Sequence, residues 1–316
     1  ICGNTHIGSI VGCIDKGYIS CCYNTATVYG NNYAIGGIVG ANYLYNEDYI
    51  AKVENCYNAG AIKGNCDVGG IVGINKSEKN KKNDIYFDFY YGYNMALVLH
   101  CYNSGTVSGK YNIGGLVGYN DGYYGCSEIY KCYNVGEISG EYNVGSIVGS
   151  YPVEYCLDVS NSLILNCYYK IGSAKDENGR AQKGIGTATY NAPIDVDGVT
   201  KGLSNEEMLK LASFVGFDFD EVWTMDGNPD YPYPELKAIN SVSNSTETDK
   251  NDSEKSVLIT TNDGKSVLDD DIVVVSKSVV IITCIIIILI LLLMLITIFF
   301  VCFFGFRKDG FLRKKQ

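Results

Sequence analysis

Thirteen cysteines and only two histidines, at positions 6 and 100, limit the chemistry this chain could carry. Two histidines leave little room for histidine-held zinc or for Ser-His-Asp catalysis. No two cysteines stand at C-x-x-C spacing, which argues against zinc and thioredoxin-like sites. Five of them share one context: Cys-Tyr-Asn at Cys22, Cys56, Cys101 and Cys132, and Cys-Tyr-Tyr at Cys167. On neighbouring strands such residues would lie ~4.8 Å apart, within disulfide range, but with their side chains parallel. The expected arrangement is a buried ladder of free thiols acting as small hydrophobes. Cys2, Cys13, Cys21, Cys66, Cys126 and Cys156 fall elsewhere, and some could pair in an oxidising compartment.

Carboxylates form a second group. Asp218, Asp220 and Glu221 alternate along FDFDEVW, with Asp226 and Asp230 close by. Paired acids can cleave glycosidic bonds, but here they read as a solvated face. Neither DVDG nor DGNPD has EF-hand spacing, so no metal, cofactor or catalytic residue is assigned and the chain is read as no enzyme. A third group lies between Gly73 and Cys101. There a basic run, KSEKNKKND, precedes Tyr86, Phe87, Phe89, Tyr90, Tyr91 and Tyr93. Loops on a rigid scaffold often carry function, and exposed aromatic residues contact proteins and sugars well. These six are the expected ligand-contact residues.

What must position them is a repeat. Glycine is abundant at 36 residues and proline scarce at 5. Gly-[Gly/Ser]-[Ile/Leu]-Val-Gly blocks occur at Gly8–Gly12, Gly36–Gly40, Gly69–Gly73, Gly114–Gly118 and Gly145–Gly149, alternating with the Cys-Tyr-Asn blocks. From Cys to the next block is 14, 13, 13 and 13 residues; from block to Cys is 10, 16, 28, 14 and 18. One half of the unit is fixed and the other varies. Such a unit holds about three short strands, each needing its copy one repeat on for stability. Stacked copies give an all-β fold: a right-handed parallel β-solenoid, or β-helix, of about five rungs and triangular section. Glycines, and the asparagine of Cys-Tyr-Asn, should supply corners at positive φ. Alternation should turn Cys and Asn inward and leave tyrosine as an outward stripe.

The Gly-x-[IL]-Val-Gly and Cys-Tyr-Asn blocks resemble the GLUG repeat of microbial surface and secreted proteins. Proteins with this repeat often close with a Phe-x-x-x-x-x-Trp segment and a Tyr-Pro pair, which Phe217 to Trp223 and Tyr231-Pro232 resemble. The likeness covers residues 1–238. It implies a β-solenoid, an extracellular setting and an adhesive or host-facing role. Ser9, Ser146, Ala26 and the lost asparagine of the fifth copy depart from the pattern. The repeat can accompany extracellular peptidase domains, but no His-Glu-x-x-His is present.

The remaining domains follow by composition. Residues 1–170 hold the repeats, and 171–238 a degenerate last rung and a cap. A Ser204-to-Glu207 capping box starts a short helix there, with Met208, Leu209, Leu211, Ala212 and Val215 as its apolar face and Trp223 plugging the end of the coil. Residues 239–277 read as a flexible stalk. Ser278 to Phe306 has no charge over 29 residues, long enough for a transmembrane helix. Five basic residues and one acid follow it, so 307–316 is expected in the cytoplasm and 1–277 outside, at the plasma membrane. Export requires a leader, expected to precede Ile1. A tail-anchored protein with its bulk in the cytosol is the alternative. Asn75, Asn244 and Asn251 begin N-x-[ST] sequons, and Cys302 lies near the basic tail, a position for palmitoylation.

The net charge of −10 argues against nucleic-acid binding. The expected function is non-catalytic binding or adhesion, to a host or neighbouring-cell protein or glycan. The alternatives are a membrane-tethered fragment of an extracellular enzyme, polysaccharide-active or peptidase-associated, and a structural surface coat.

Overall fold

A computed structural model describes residues 1–45, 50–78, 95–121, 126–152, 163–188, 199–226, 228 and 230–239. Among them the protein is all-β apart from a helical turn, Asn205–Met208, a short 3-10 segment, Leu211–Ser213, and helical residues at 237–239. Some strands have only two residues, too short to persist alone. Within the repeats each is held by the in-register copy from at least one neighbouring repeat.

Four sheets of parallel strands result, and the chain visits them in turn. The first contains Cys2–Gly3, Val28–Gly30, Tyr33–Gly36, Ile62–Lys63, Cys66–Gly69, Val107–Gly114, Ile138–Gly145 and Ala174–Asp176. The second contains Val11–Ile14, Val39–Leu44, Val72–Ser77, Val117–Asp121, Val148–Tyr151 and Ile185–Ala188. The third runs through Gly17–Ser20, Ile50–Glu54, Met95–Leu99, Cys126–Tyr130 and Ile164–Leu165. The fourth holds the Cys-Tyr-Asn segments Tyr23–Asn24, Tyr57–Asn58, Tyr102–Asn103 and Tyr133–Asn134, then Cys167–Lys170 and Thr200–Leu203. This connectivity is consistent with a β-solenoid. The cross-section has four sheets where three strands per unit were expected, because the segment after each glycine block and the segment before each cysteine form separate strands. Residues 170–203 lose the sequence repeat yet still pair with the preceding copies.

Inward positions form columns of like residues. Val39, Val72, Val117, Val148 and Ile185 are one; Val53, Val98, Ile129 and Ile164 another. Val28, Ile62, Val107, Ile138 and Ala174 form a third, in a separate smaller core. Each aliphatic so buried contributes roughly 1.5–3 kcal/mol, and β-branched residues suit the pleat.

The glycines serve a purpose other than the one expected. The block glycines do not have positive φ; the corners are made by two columns of other residues. His6, Ala34, Asp67, Asn112 and Asn143 form one column; Cys21, Asn55, His100, Lys131 and Asn166 form the other, with φ between 49° and 61°. The asparagine of Cys-Tyr-Asn is likewise absent from these corners. Glycine is required by close approach. A Cβ on Gly36 would lie 1.9 Å from the Val39 carbonyl oxygen, and one on Gly70 2.1 Å from that of Gly115. Backbone packs on backbone where the chain passes from the smaller core to the larger.

The closing segment also differs from expectation. The capping box is present: Ser204 Oγ accepts from the Glu207 amide at 3.2 Å, and the Ser204 amide donates to Glu207 Oε2 at 2.8 Å. The helix stops at Met208, so Leu209, Leu211 and Val215 are exposed. Phe214, Phe217 and Trp223 enter the core instead, with Trp223–Thr224 paired to Glu235–Leu236 in an antiparallel ribbon. Trp223 does not plug the end of the coil. It lies 6.2 Å and 5.8 Å, ring to ring, from Tyr102 and Tyr133, so the segment clasps the flank of the fourth sheet. At the end, Tyr169 occupies the column held elsewhere by asparagine and is buried in the main core.

Among the described residues no helix is long and apolar enough to cross a membrane. Residues 240–316, which include the expected stalk, span and tail, lie outside the described residues, as do Asn244, Asn251 and Cys302.

Candidate binding surface

Each residue of Cys-Tyr-Asn builds its own column on the fourth sheet. Cys56, Cys101, Cys132 and Cys167 are buried, and Cys22 half-buried. Their thiols donate to the carbonyl two residues back: Cys22 to Ser20, Cys56 to Glu54, Cys101 to Leu99, Cys132 to Tyr130 and Cys167 to Leu165, at 3.0–3.4 Å. Burial pushes Cys56, Cys101 and Cys132 well above the ordinary thiol range, which leaves them inert as nucleophiles. The ten described cysteines are all free, Cys2, Cys13, Cys21, Cys66 and Cys126 included. Cys156 lies outside the described residues.

The asparagines bond along the coil. Asn24 donates to Asn58 at 2.7 Å, Asn58 to Asn103 at 2.7 Å and Asn103 to Asn134 at 2.8 Å. A second internal ladder, Asn42 to Asn75 to Asn120, has bonds of 2.8 and 2.7 Å. Its signal in the sequence is an asparagine two residues past the glycine block, at Asn42, Asn75 and Asn120. Asn75 is fully buried in that ladder, so it is unavailable to a glycan.

The tyrosines stack outside this sheet. Tyr23, Tyr57, Tyr102 and Tyr133 follow each other at 5.2, 4.9 and 5.0 Å with nearly parallel rings. The stripe is outward but only partly exposed, because the closing segment covers Tyr102, Tyr133 and Tyr168. Tyr133 Oη donates to the Pro234 carbonyl, and Tyr168 Oη to that of Val215 at 2.8 Å.

A second tyrosine surface, not expected from the sequence, lies on the outer face of the first sheet. Tyr29, Tyr33, Tyr111 and Tyr142 are exposed at 45%, 36%, 40% and 49%. Tyr33, Cys66, Tyr111 and Tyr142 share one register column. Beside it runs a polar row in which Asn143 donates to Asn112 and Asn112 to Asp67, both at 2.7 Å. Extended tyrosine on a flat, rigid face can contact a partner without first being ordered.

Chain length varies between repeats at the corner between the second and third sheets: 46–49, 79–94, 122–125 and 153–162 each fall, in sequence, between a strand of the second and a strand of the third. Tyr86, Phe87, Phe89, Tyr90, Tyr91 and Tyr93 lie outside the described residues. At that corner Lys76 Nζ meets Glu78 at 2.6 Å and Asp121 at 3.3 Å, while Tyr43 Oη donates to Glu78 at 2.9 Å. Burial alone would lower Lys76, but its two carboxylates outweigh that and raise it, so it stays charged.

The cap carboxylates form a turn. Asp218 Oδ1 accepts from the Asp220 and Glu221 amides at 2.9 Å, and these bonds hold the carboxyl below its usual range. No cluster of three metal-ligating side chains occurs among the described residues. A cavity of about 430 Å³ at the C-terminal end is lined by Tyr169, Ile171, Gln182, Lys183, Thr200 and Lys201. The buried Thr200 hydroxyl has no partner, but it continues the cysteine column and is turned toward Gly184.

Stacked copies of one strand unit, each dependent on its neighbours, define a repeat protein. The GLUG motif matches residues 31–63 and 109–139, so this is a GLUG-motif repeat protein. Each matched stretch corresponds to about one circuit of the four sheets. No curated protein and no solved structure matches the chain.

Proposed function

We propose that this is a single-pass cell-surface protein whose extracellular part is a non-catalytic binding or adhesion module. The coil is a right-handed β-solenoid of about five rungs, since crossovers between parallel strands are right-handed in nearly all proteins. Residues 278–306 form the membrane helix and 307–316 a cytoplasmic tail, in accord with the uncharged span and the basic residues after it. The observation that carries the binding reading is the in-register row of exposed tyrosines on the first sheet. Tyrosine supplies large contact area at low entropic cost, and a stiff scaffold lets weak contacts add along its length. The partner is a protein or glycan of a host or neighbouring cell.

The test is protease shaving of intact cells carrying an epitope at each end of the chain, followed by cell-binding assays. Loss of the N-terminal epitope with protection of the C-terminal one is the expected result. Survival of both epitopes refutes the surface assignment. Binding that is unchanged when Tyr29, Tyr111 and Tyr142 are all replaced by Ser refutes the tyrosine face as the contact.

A further inference from the structure

The tyrosine column of the first sheet has one missing ring. Tyr111 and Tyr142 stack at 5.0 Å with planes 10° apart. One rung below Tyr111 the same position is Cys66, and one rung further it is Tyr33. Two rungs separate the Tyr33 and Tyr111 positions by roughly 10 Å, twice the ~4.8 Å strand spacing. A half-exposed thiol fills little of that distance. By strand spacing the gap has room for one planar group about 5 Å from each ring position, the spacing that Tyr111 and Tyr142 already adopt, while the Tyr33 ring also packs edge-on to His6 at 5.2 Å.

The floor of the gap is acidic. Asp67 follows Cys66 at a left-handed corner, φ 52°. Its Oδ1 accepts from Asn112 at 2.7 Å, and its carboxyl is also hydrogen-bonded to the Cys66 thiol. Burial pushes this carboxyl above its usual range, so a cation beside it would be held with little competition from water. Lys110 Nζ lies 5.4 Å from the centre of the Tyr111 ring while it pairs with Glu141, on the next rung, at 3.6 Å, so this ring already takes a cation from the protein itself.

We propose that the gap between Tyr33 and Tyr111 is a slot for a guanidinium group, the arginine side chain of a protein partner, stacked between the two rings and paired with Asp67. Guanidinium is planar, weakly hydrated and suited both to aromatic faces and to carboxylates; an ammonium offers charge without the plane. The net charge of −10 favours a basic partner. This assignment rests on the first sheet being the binding face and names the chemistry of what binds there.

The experiment titrates the full chain with N-acetyl-arginine amide, with the lysine, phenylalanine and glucose analogues as comparators, and follows tyrosine ring NMR signals. Arginine should shift the Tyr33 and Tyr111 signals saturably, with lysine weaker by roughly tenfold, the scale of one cation–π contact. Cys66→Tyr should complete the column and abolish the effect with the fold intact. Asp67→Asn should weaken it several-fold. Equal shifts by lysine, stronger shifts by phenylalanine or glucose, or undiminished binding in Cys66→Tyr overturn the proposal. If Cys66→Tyr fails to fold, Tyr111→Leu decides in the same way. Cell binding that survives Cys66→Tyr but is lost in Tyr29→Ser/Tyr142→Ser refutes the slot while leaving the tyrosine face standing.

Discussion

Removing one amide from the main asparagine ladder tests how much of this fold rests on polar bonds between copies. Asn103 is fully buried and makes three side-chain bonds: it accepts from Asn58 at 2.7 Å and donates to Asn134 at 2.8 Å and to the Gly105 carbonyl at 2.9 Å. Its neighbours are not orphaned by its loss. Asn58 keeps its bond to the Gly60 carbonyl at 3.0 Å, and Asn134 still accepts from the Gly136 amide at 3.2 Å. At ~1 kcal/mol net per bond, Asn103→Ala should cost about 3 kcal/mol. Asn103→Asp should cost more, because an acceptor-only carboxylate would face Asn134 Oδ1 in a buried site. The control is Asn143→Gly, which removes one exposed 2.7 Å bond and keeps the left-handed corner; it should cost under about 1 kcal/mol. Urea unfolding of the full chain, followed by far-UV circular dichroism, measures all three. If Asn103→Ala and Asn143→Gly are equal, the ladders follow from strand register and contribute little to holding it.

Three further outcomes follow from the same geometry. His100 is packed edge-on to Trp223, and burial, then Lys131 and Lys52, lower it from 6.5 to about 4, with Asp218 opposing. Its neutral form is therefore the folded one: this contribution is complete above pH 6.5 and lost as pH falls toward 4, by about 3 kcal/mol. His100→Asn, a residue suited to the corner, should flatten that part of the stability–pH curve; an unchanged curve refutes the assignment. Gly70→Ala should cost more than about 3 kcal/mol through its 2.1 Å clash, whereas Gly172→Ala, with open space at φ 81°, should cost about 1 kcal/mol; a melt ranking them in reverse contradicts the close-approach account. Trp223→Ala should loosen the closing segment by about 3–5 kcal/mol, exposing Tyr102 and Tyr133 to an apolar dye while the β signal persists; simultaneous loss of both signals would show that coil and closing segment unfold as one.

The repeat was legible because stacking demands that like residues recur. Columns of Val and Ile, the buried cysteines and the asparagines of Cys-Tyr-Asn could be placed from spacing alone. The tyrosine row of the first sheet was not, because Tyr33, Tyr111 and Tyr142 stand in segments read only for their aliphatic residues. Nor were the left-handed corners, where His100 and Lys131 sit beside Asn55 and Asn166 with φ near 50°. Residue preference there is weak, and the turn is imposed by strands on either side.

The sequence by itself thus determined that copies pair in register, which residues face inward, and that a capping box begins at Ser204. Those are consequences of period and side-chain type, and they need only the next copy to be realised. Tertiary structure decided what depends on distance between segments remote in the chain. It made glycine a matter of backbone contact, not dihedral freedom. It buried Asn75, laid Trp223 along the flank instead of over the end, and left the tyrosines of the first sheet open while covering Tyr102, Tyr133 and Tyr168. Spacing within one repeat carries no information about which outward face the closing segment will occupy; that is settled by where its aromatic residues find rings to pack against.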